Sequence, residues 1–199
     1  MKTLFFAAVI AAASLPIVSC TNSTKTADTT KAPDSNATVD TKTVVHSPTG
    51  SDVKTISPIK GLITNYLDLK NGLVKENGED AATAAKAMVA FFVQFDVSAL
   101  TEEQKKSYTD IANDAKEMAE HIGKNPDKLE HQREHFDMLS QDMVDLVKLF
   151  GAGQTLYVDH CPMYKDKKGA NWLSETKEIK NPYMGSAMAT CGSVKEQLN

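Results

Sequence analysis

The stretch SPIKGLITNYLDLKNGLV, residues 57–74, decides the fold. Its apolar residues recur every three or four positions, which is the spacing of one face of an α-helix. They are Ile59, Leu62, Ile63, Tyr66, Leu69 and Leu73. Ser57-Pro58 places a cap residue before a proline, and Asn77-Gly78 ends the pattern. The sequence therefore predicts an amphipathic helix that must bury its apolar face against partners.

Three further segments share this period. The second spans about residues 79–95, and the third begins at the capping box Thr101-Glu102-Glu103-Gln104 and closes at Gly123. The fourth opens at Asn125-Pro126 and ends at the glycines of residues 151–153. Four amphipathic segments joined by short polar turns predict a mainly α fold, an antiparallel up-down four-helix bundle.

The character of the chain changes after Gly153. Thr155-Leu156-Tyr157-Val158 is a short β-type run, a polar turn follows it, and Trp172 is the single tryptophan. We therefore expect a short irregular and β C-terminal lobe packed against one end of the bundle. On this interpretation residues 57–199 form one domain.

The N-terminus predicts export and lipidation. Lys2 precedes an apolar run over residues 4–13, and Ile17-Val18-Ser19-Cys20 has the pattern of a lipobox. We expect residues 1–19 to be a lipoprotein signal peptide and Cys20 to carry the lipid. The apolar run is too short to span a bilayer as a stable helix.

Residues 20–56 predict a disordered tether. The segment is rich in Thr, Ser, Asp, Lys and Ala and lacks aromatic residues, so it cannot bury enough surface to fold. No acidic cluster follows Cys20 directly, which favours a periplasm-facing anchor in a bacterial cell envelope.

The net charge is −4 and the chain contains one arginine, Arg133, so the composition argues against a nucleic-acid surface.

Five sulfur side chains lie close together in sequence near the C-terminus, among prolines and glycines. Thiolates and thioethers are soft ligands that suit Cu(I) better than harder ions. We expect a site for Cu(I), or another soft metal ion, and no enzymatic activity. The expected ligands are Cys161, Met163, Met188 and Cys191, with Met184 and His160 as alternates and His135 as a distant one.

Other interpretations remain open. Cys161 and Cys191 could form a structural disulfide, as exported cysteine pairs often do. A nucleophilic Cys161 would need a base, and His160 points to the opposite face of an extended strand.

His131 and His135 share a helix face at four-residue spacing. They lie in a charged stretch and are more simply surface residues, with His46 and His121 incidental. The methionines on the predicted helices fill gaps in the core or flank it.

Several C-terminal motifs are similar to those of a known family. They are Cys161-Pro162-Met163, Gly169-Ala170-x-Trp172-Leu173-Ser174 and Asn181-Pro182-Tyr183-x-Gly185-x-x-Met188-x-x-Cys191-Gly192, preceded by Arg133-x-x-Phe136-x-x-Leu139-Ser140. Together they resemble the bacterial domain of unknown function 3347 family, over about residues 59–194. Tyr157 to Met163 also resembles the start of small heavy-metal-binding modules, with three residues in place of one between Tyr157 and Cys161.

The resemblance implies association with metals. Domains of this family occur in lipoproteins and at the C-terminus of periplasmic adaptors of heavy-metal efflux pumps. The leading hypothesis is a lipid-anchored periplasmic Cu(I)-binding protein acting in metal sequestration, delivery or efflux. Its expected partners are the metal ion, the membrane through Cys20, and heavy-metal efflux components. The alternative is a structural or adaptor envelope lipoprotein with a Cys161–Cys191 disulfide and no metal.

Overall fold

A computed structural model describes residues 57–199. The predicted signal peptide, the lipidation site at Cys20 and the tether lie outside the described residues. Within residues 57–199, no helix carries an apolar stretch of the length that crossing a membrane requires.

Four long helices form the first part of the described chain, and they confirm the predicted mainly α bundle. They are α1 (Lys60–Val74), α2 (Gly78–Gln94), α3 (Glu102–Lys124) and α4 (Leu129–Phe150). Short turns join them, so each helix packs against the next in the chain. The ring of Tyr66 on α1 stacks on that of Phe136 on α4, with centroids 5.3 Å apart.

Local capping signals explain the starts of two of the four long helices. The capping box of α3 is present: Gln104 N donates to Thr101 Oγ1 at 3.2 Å, and Thr101 N donates to Gln104 Oε1 at 3.1 Å. Asn77 caps α2 through a 3.1 Å bond from Asp80 N. Beyond Pro126, α4 starts only at Leu129, and no side chain caps it.

The prediction that Ser57 caps α1 is wrong. Residues before Lys60 form a turn, and Ile59 stands at the N-cap with no side-chain cap bond. Ser57 Oγ instead donates to the carbonyl of Gly151 at 2.7 Å, just after α4. Burial of Ile59, which is 0 % exposed, determines how the chain enters this helix.

A three-stranded antiparallel sheet follows the bundle, within the described residues. Its strands are β1 (Leu156–Cys161), β2 (Ala170–Ser174) and β3 (Ser193–Leu198), in the order β2-β1-β3. In the pairing of β1 with β2, Asp159 lies opposite Trp172 and Cys161 lies opposite Ala170. The β1–β3 pairing is irregular between Val158 and Asp159. The predicted β-type run at residues 155–158 is therefore the first half of a longer central strand.

Buried polar contacts fasten this C-terminal lobe to the bundle. Tyr66 Oη lies 2.7 Å from Ser140 Oγ and accepts the amide of Leu173 on β2 at 3.1 Å. Arg133 Nε donates to the carbonyl of Pro182 at 3.0 Å, and Lys165 pairs with Asp137. Helices α1 and α4 thus hold both the sheet and the loop that precedes β3.

Candidate metal centre

Cys161 and Cys191 meet in the C-terminal lobe. Cys161 is the last residue of the central strand β1, and Cys191 lies two residues before the neighbouring strand β3. Their Sγ atoms are 3.6 Å apart, and both cysteines are free. Cys161 is fully buried, whereas Cys191 is partly exposed. The pair therefore has one closed side, against the core, and one side that solvent can reach.

The separation of the two sulfurs matches that of two thiolates on one metal ion. Metal–thiolate bonds of about 2.3 Å at a tetrahedral angle place two sulfurs about 3.8 Å apart. The same pair could also close a disulfide, because its Sγ atoms need only approach by a side-chain movement to about 2.05 Å. The geometry of the two thiols is compatible with both chemistries.

Asn181 organises the loop that presents Cys191. This side chain is 1 % exposed, and its Nδ2 donates to the carbonyl of Cys191 at 2.6 Å. Its Oδ1 accepts the amides of Tyr183 at 2.8 Å and Met184 at 3.1 Å. Cys191 N in turn donates to the carbonyl of Met188 at 3.0 Å. One buried amide therefore links the carbonyl of Cys191 to the backbone of residues 183 and 184.

The three predicted thioether ligands lie in the two loops that flank the thiols. Met163 is 42 % exposed and Met188 is 38 % exposed, while Met184 packs partly against the core. Within residues 57–199, the hydrogen-bond partner of each thiol is the other thiol. The exposed methionines can change rotamer at little cost because solvent, not packed protein, surrounds much of their surface.

The side chain of His160 does not lie beside that of Cys161, although the two residues are neighbours on β1. Its Nδ1 lies 2.8 Å from Oδ1 of Asn171, its partner on β2, and it is half-buried where Cys161 is buried. Alternation along the strand places the two side chains on opposite faces, as the sequence predicts.

The protonation of Cys191 responds to its neighbour. The hydrogen bond with Cys161 raises the pKa of the Cys191 thiol, and burial adds to the shift. A soft metal ion would therefore bind with release of protons, since the ligand form is the thiolate.

A buried carboxyl group lies on the same strand as Cys161. Asp159 is 0 % exposed, and neither of its carboxylate oxygens has a hydrogen-bond partner. Burial raises the pKa of Asp159 to about 7, against the opposing charge of Lys70. Lys70, itself 1 % exposed, pairs with Glu175 at 2.6 Å. The Lys70–Glu175 ion pair joins α1 to the residue that follows β2.

His135 lies in a second cluster, on the face shared by α3 and α4. Its described side-chain contacts are with His121 and Met118 of α3 and with His131 of α4. One ring nitrogen from each of the three histidines lies within 4.8 Å of the others. The assignment of His135 as a distant ligand of the thiol site stays a prediction.

His121 and Met118 are the residues of this cluster that the sequence interpretation missed. A signal was present, because positions equidistant from a short turn lie opposite each other in an antiparallel helix pair. His121 and His131 flank the turn between α3 and α4, and Met118 and His135 are the next facing pair.

The comparisons identify a family for the helical part of the chain. A family model described as a protein of unknown function (DUF3347) matches residues 62–155. This range covers nearly all of the four helices and ends before the cysteine- and methionine-containing motifs. No curated protein and no solved structure matches the chain. The helical part of the chain is thus similar to the DUF3347 family of proteins of unknown function over residues 62–155.

Proposed function

We propose that this chain is a lipid-anchored periplasmic protein that binds Cu(I) and acts in metal sequestration, delivery or efflux. The observation that carries the proposal is the 3.6 Å separation of Cys161 Sγ and Cys191 Sγ. Two thiols this close, with one side open, can both bond to one soft ion without movement of the backbone.

The surroundings of the pair favour Cu(I) over harder ions. Thiolate and thioether sulfurs are the ligands that Cu(I) prefers, and Met163, Met184 and Met188 lie within three residues of a cysteine or in the same loop. The partial exposure of Cys191 gives an entering ion a path, and Met163 and Met188 are exposed thioethers in the loops that flank the thiols.

The proposed location of the protein at a membrane is inferred from its sequence. The lipobox ending at Cys20 would anchor the protein to a membrane, and residues 20–56 would let the folded domain extend from it. The family resemblance to efflux-pump adaptors makes envelope metal-efflux components the favoured protein partners. Incorporation of labelled fatty acid in the wild type, lost in Cys20→Ala, would support this part of the proposal.

A structural envelope protein is the second candidate. The same two thiols could form a disulfide that covalently links β1 to the loop before β3. The bundle would then serve as a module that binds another envelope protein. This candidate predicts an oxidised pair in the native protein and no Cu(I) affinity after reduction.

The test is an anaerobic Cu(I) titration of the reduced full chain against a chromophoric Cu(I) chelator. The chain should carry Cys20→Ser, so that Cys161 and Cys191 are its remaining thiols. Zn(II) is titrated in parallel. Met138→Ala is a matched control for Met163→Ala, because both methionines are 42 % exposed and Met138 lies on α4, outside the lobe.

Tight one-to-one binding that Cys161→Ser abolishes, that Met163→Ala weakens and that Met138→Ala leaves unchanged supports the proposal. Failure of the reduced chain to compete for Cu(I), together with a disulfide in the protein isolated without reductant, supports the structural candidate instead. Affinity that survives Cys161→Ser with Met188→Ala would contradict the ligand assignment.

A further inference from the structure

We propose that His121, His131 and His135 form a second metal site, on the face shared by α3 and α4, which takes a borderline divalent ion such as Cu²⁺ or Zn²⁺. This site is independent of the two thiols. It uses nitrogen ligands and a different class of ion, and it lies on the bundle instead of the C-terminal lobe.

The three imidazoles already converge. One ring nitrogen of each lies within 4.8 Å of the other two. The rings of His121 and His135 stack with centroids 4.4 Å apart, and those of His131 and His135 are also 4.4 Å apart, edge to face. Metal–imidazole bonds are about 2.0–2.1 Å long, so modest side-chain rotations would bring the three nitrogens onto one ion.

Met118 holds His135 in one orientation. Its Sδ lies 3.3 Å from Nδ1 of His135. A thioether sulfur can only accept a hydrogen bond, so Nδ1 carries the proton and Nε2 keeps its lone pair. A neutral imidazole whose second nitrogen is fixed in this way is the usual form of a metal-binding histidine. Met118 is therefore a positioning residue in this site.

Two carboxylates flank the histidines. Glu117 Oε1 lies 3.9 Å from Nε2 of His121, and Glu134 Oε2 lies 3.8 Å from Nδ1 of His131. These distances are those of ion pairs and exceed a hydrogen bond. Their negative charge favours a bound cation, an effect that solvent weakens because both carboxylates are mostly exposed.

The ligand set decides the class of ion. Imidazole nitrogens suit Cu²⁺, Zn²⁺ and Ni²⁺, and three of them leave room for water or a fourth ligand. Among divalent ions, affinity at such a site follows the order in which Cu²⁺ exceeds both Ni²⁺ and Zn²⁺. We therefore expect one Cu²⁺ per chain, displacing Zn²⁺.

The experiment uses the full chain in which the cysteines at 20, 161 and 191 are replaced by serine, because thiols reduce Cu²⁺ and would add ligands of their own. Cu²⁺ binding is followed by calorimetry and by the nitrogen hyperfine pattern of its electron paramagnetic resonance spectrum. Variants are His121→Ala, His135→Ala and Met118→Leu, with His160→Ala and His46→Ala as matched histidine controls. Circular dichroism checks that each variant keeps its helices.

We expect one equivalent of Cu²⁺ with nitrogen hyperfine coupling in the thiol-free chain. Loss of His121 or His135 should weaken binding at least about tenfold, and Met118→Leu should weaken it by roughly tenfold through loss of orientation. The controls should bind as the parent does. Unchanged affinity in folded His121→Ala with His135→Ala, or equal loss in His46→Ala or His160→Ala, would overturn the proposal. Because the parent lacks thiols, neither result depends on the Cu(I) function.

Discussion

Tyr66 Oη lies 2.7 Å from Ser140 Oγ, and this buried contact joins the first helix to the fourth at the point where the sheet docks. The same hydroxyl accepts the backbone amide of Leu173 on β2, and Ser140 Oγ also lies 3.5 Å from Oη of Tyr183. The hydroxyls thus satisfy polar groups from both the bundle and the C-terminal lobe. The placement of the lobe, and of its thiols, depends on them.

Tyr66→Phe should destabilise the protein by about 1–3 kcal/mol, because it leaves the buried amide of Leu173 without an acceptor. The measurement is urea unfolding followed by circular dichroism. Ser140→Ala should cost less, since Leu173 keeps its partner. Equal stability of Tyr66→Phe and the wild type would show that the contact does not hold the lobe.

Gly78→Ala should destabilise by about 1–3 kcal/mol through overpacking. A Cβ at Gly78 would lie 2.1 Å from the carbonyl oxygen of Pro126, so the turns before α2 and before α4 would have to separate.

Gly123→Ala is the matched control for Gly78→Ala. Its Cβ would meet the flexible Lys86 side chain at 3.1 Å, and alanine favours the helix by up to about 1 kcal/mol. Thermal unfolding should therefore separate the two variants. Similar midpoints would mean that the two turns are not in close contact in solution.

Asp142→Asn should remove a pH dependence of stability between about pH 4 and pH 6. Burial first, then the charges of Asp114 and Asp145, raise the pKa of Asp142 to about 6. The folded protein therefore binds a proton that the unfolded chain has lost, and the free energy of unfolding falls as pH rises through this range. Above it, the asparagine variant should be more stable by about 1–2 kcal/mol, after allowance for solvent screening.

Urea unfolding at a series of pH values tests this expectation, with Asp127→Asn, which changes an exposed carboxylate in the turn before α4, as the comparison. The difference between Asp142→Asn and the wild type should grow with pH. A difference that is the same at pH 4 and pH 7 would contradict the raised pKa.

Alkylation of the metal-free reduced protein should modify Cys191 before Cys161, because Cys191 is partly exposed and Cys161 is fully buried. Peptide mass spectrometry after timed treatment with iodoacetamide measures the order. Addition of one equivalent of Cu(I) should protect both thiols. Continued modification of Cys191 at the same rate would show that the ion binds elsewhere.

The parts of the fold that follow from local chemistry could be predicted from the sequence. The capping box of Thr101 and Gln104 and the glycines after α4 act through neighbours a few residues away. Ser57 fits a local capping pattern as well, yet it bonds to Gly151, a partner 94 positions along the chain. A local capping pattern cannot reveal a distant hydrogen-bond acceptor such as Gly151, because only the packing of the helices brings the two residues together.

The two candidate sites also differ in how far the sequence predicts them. Sequence proximity and ligand chemistry singled out Cys161 and Cys191 as a pair, and the fold places their sulfurs 3.6 Å apart. His121 joins His131 and His135 only through the packing of α3 against α4, so its role could not be read from spacing along one helix. The partly buried contact of Lys70 with Glu175 likewise joins residues 105 positions apart.

X-ray absorption at the copper K edge, on the full chain with Cys20→Ser loaded with one equivalent of Cu(I), tests whether Cys161 and Cys191 hold the ion. We predict a first shell of sulfur at about 2.3 Å, as for metal–thiolate bonds in general. This shell should persist in His121→Ala and be lost in Cys161→Ser with Cys191→Ser. A first shell of nitrogen or oxygen alone would contradict the claim that the two cysteines hold the ion.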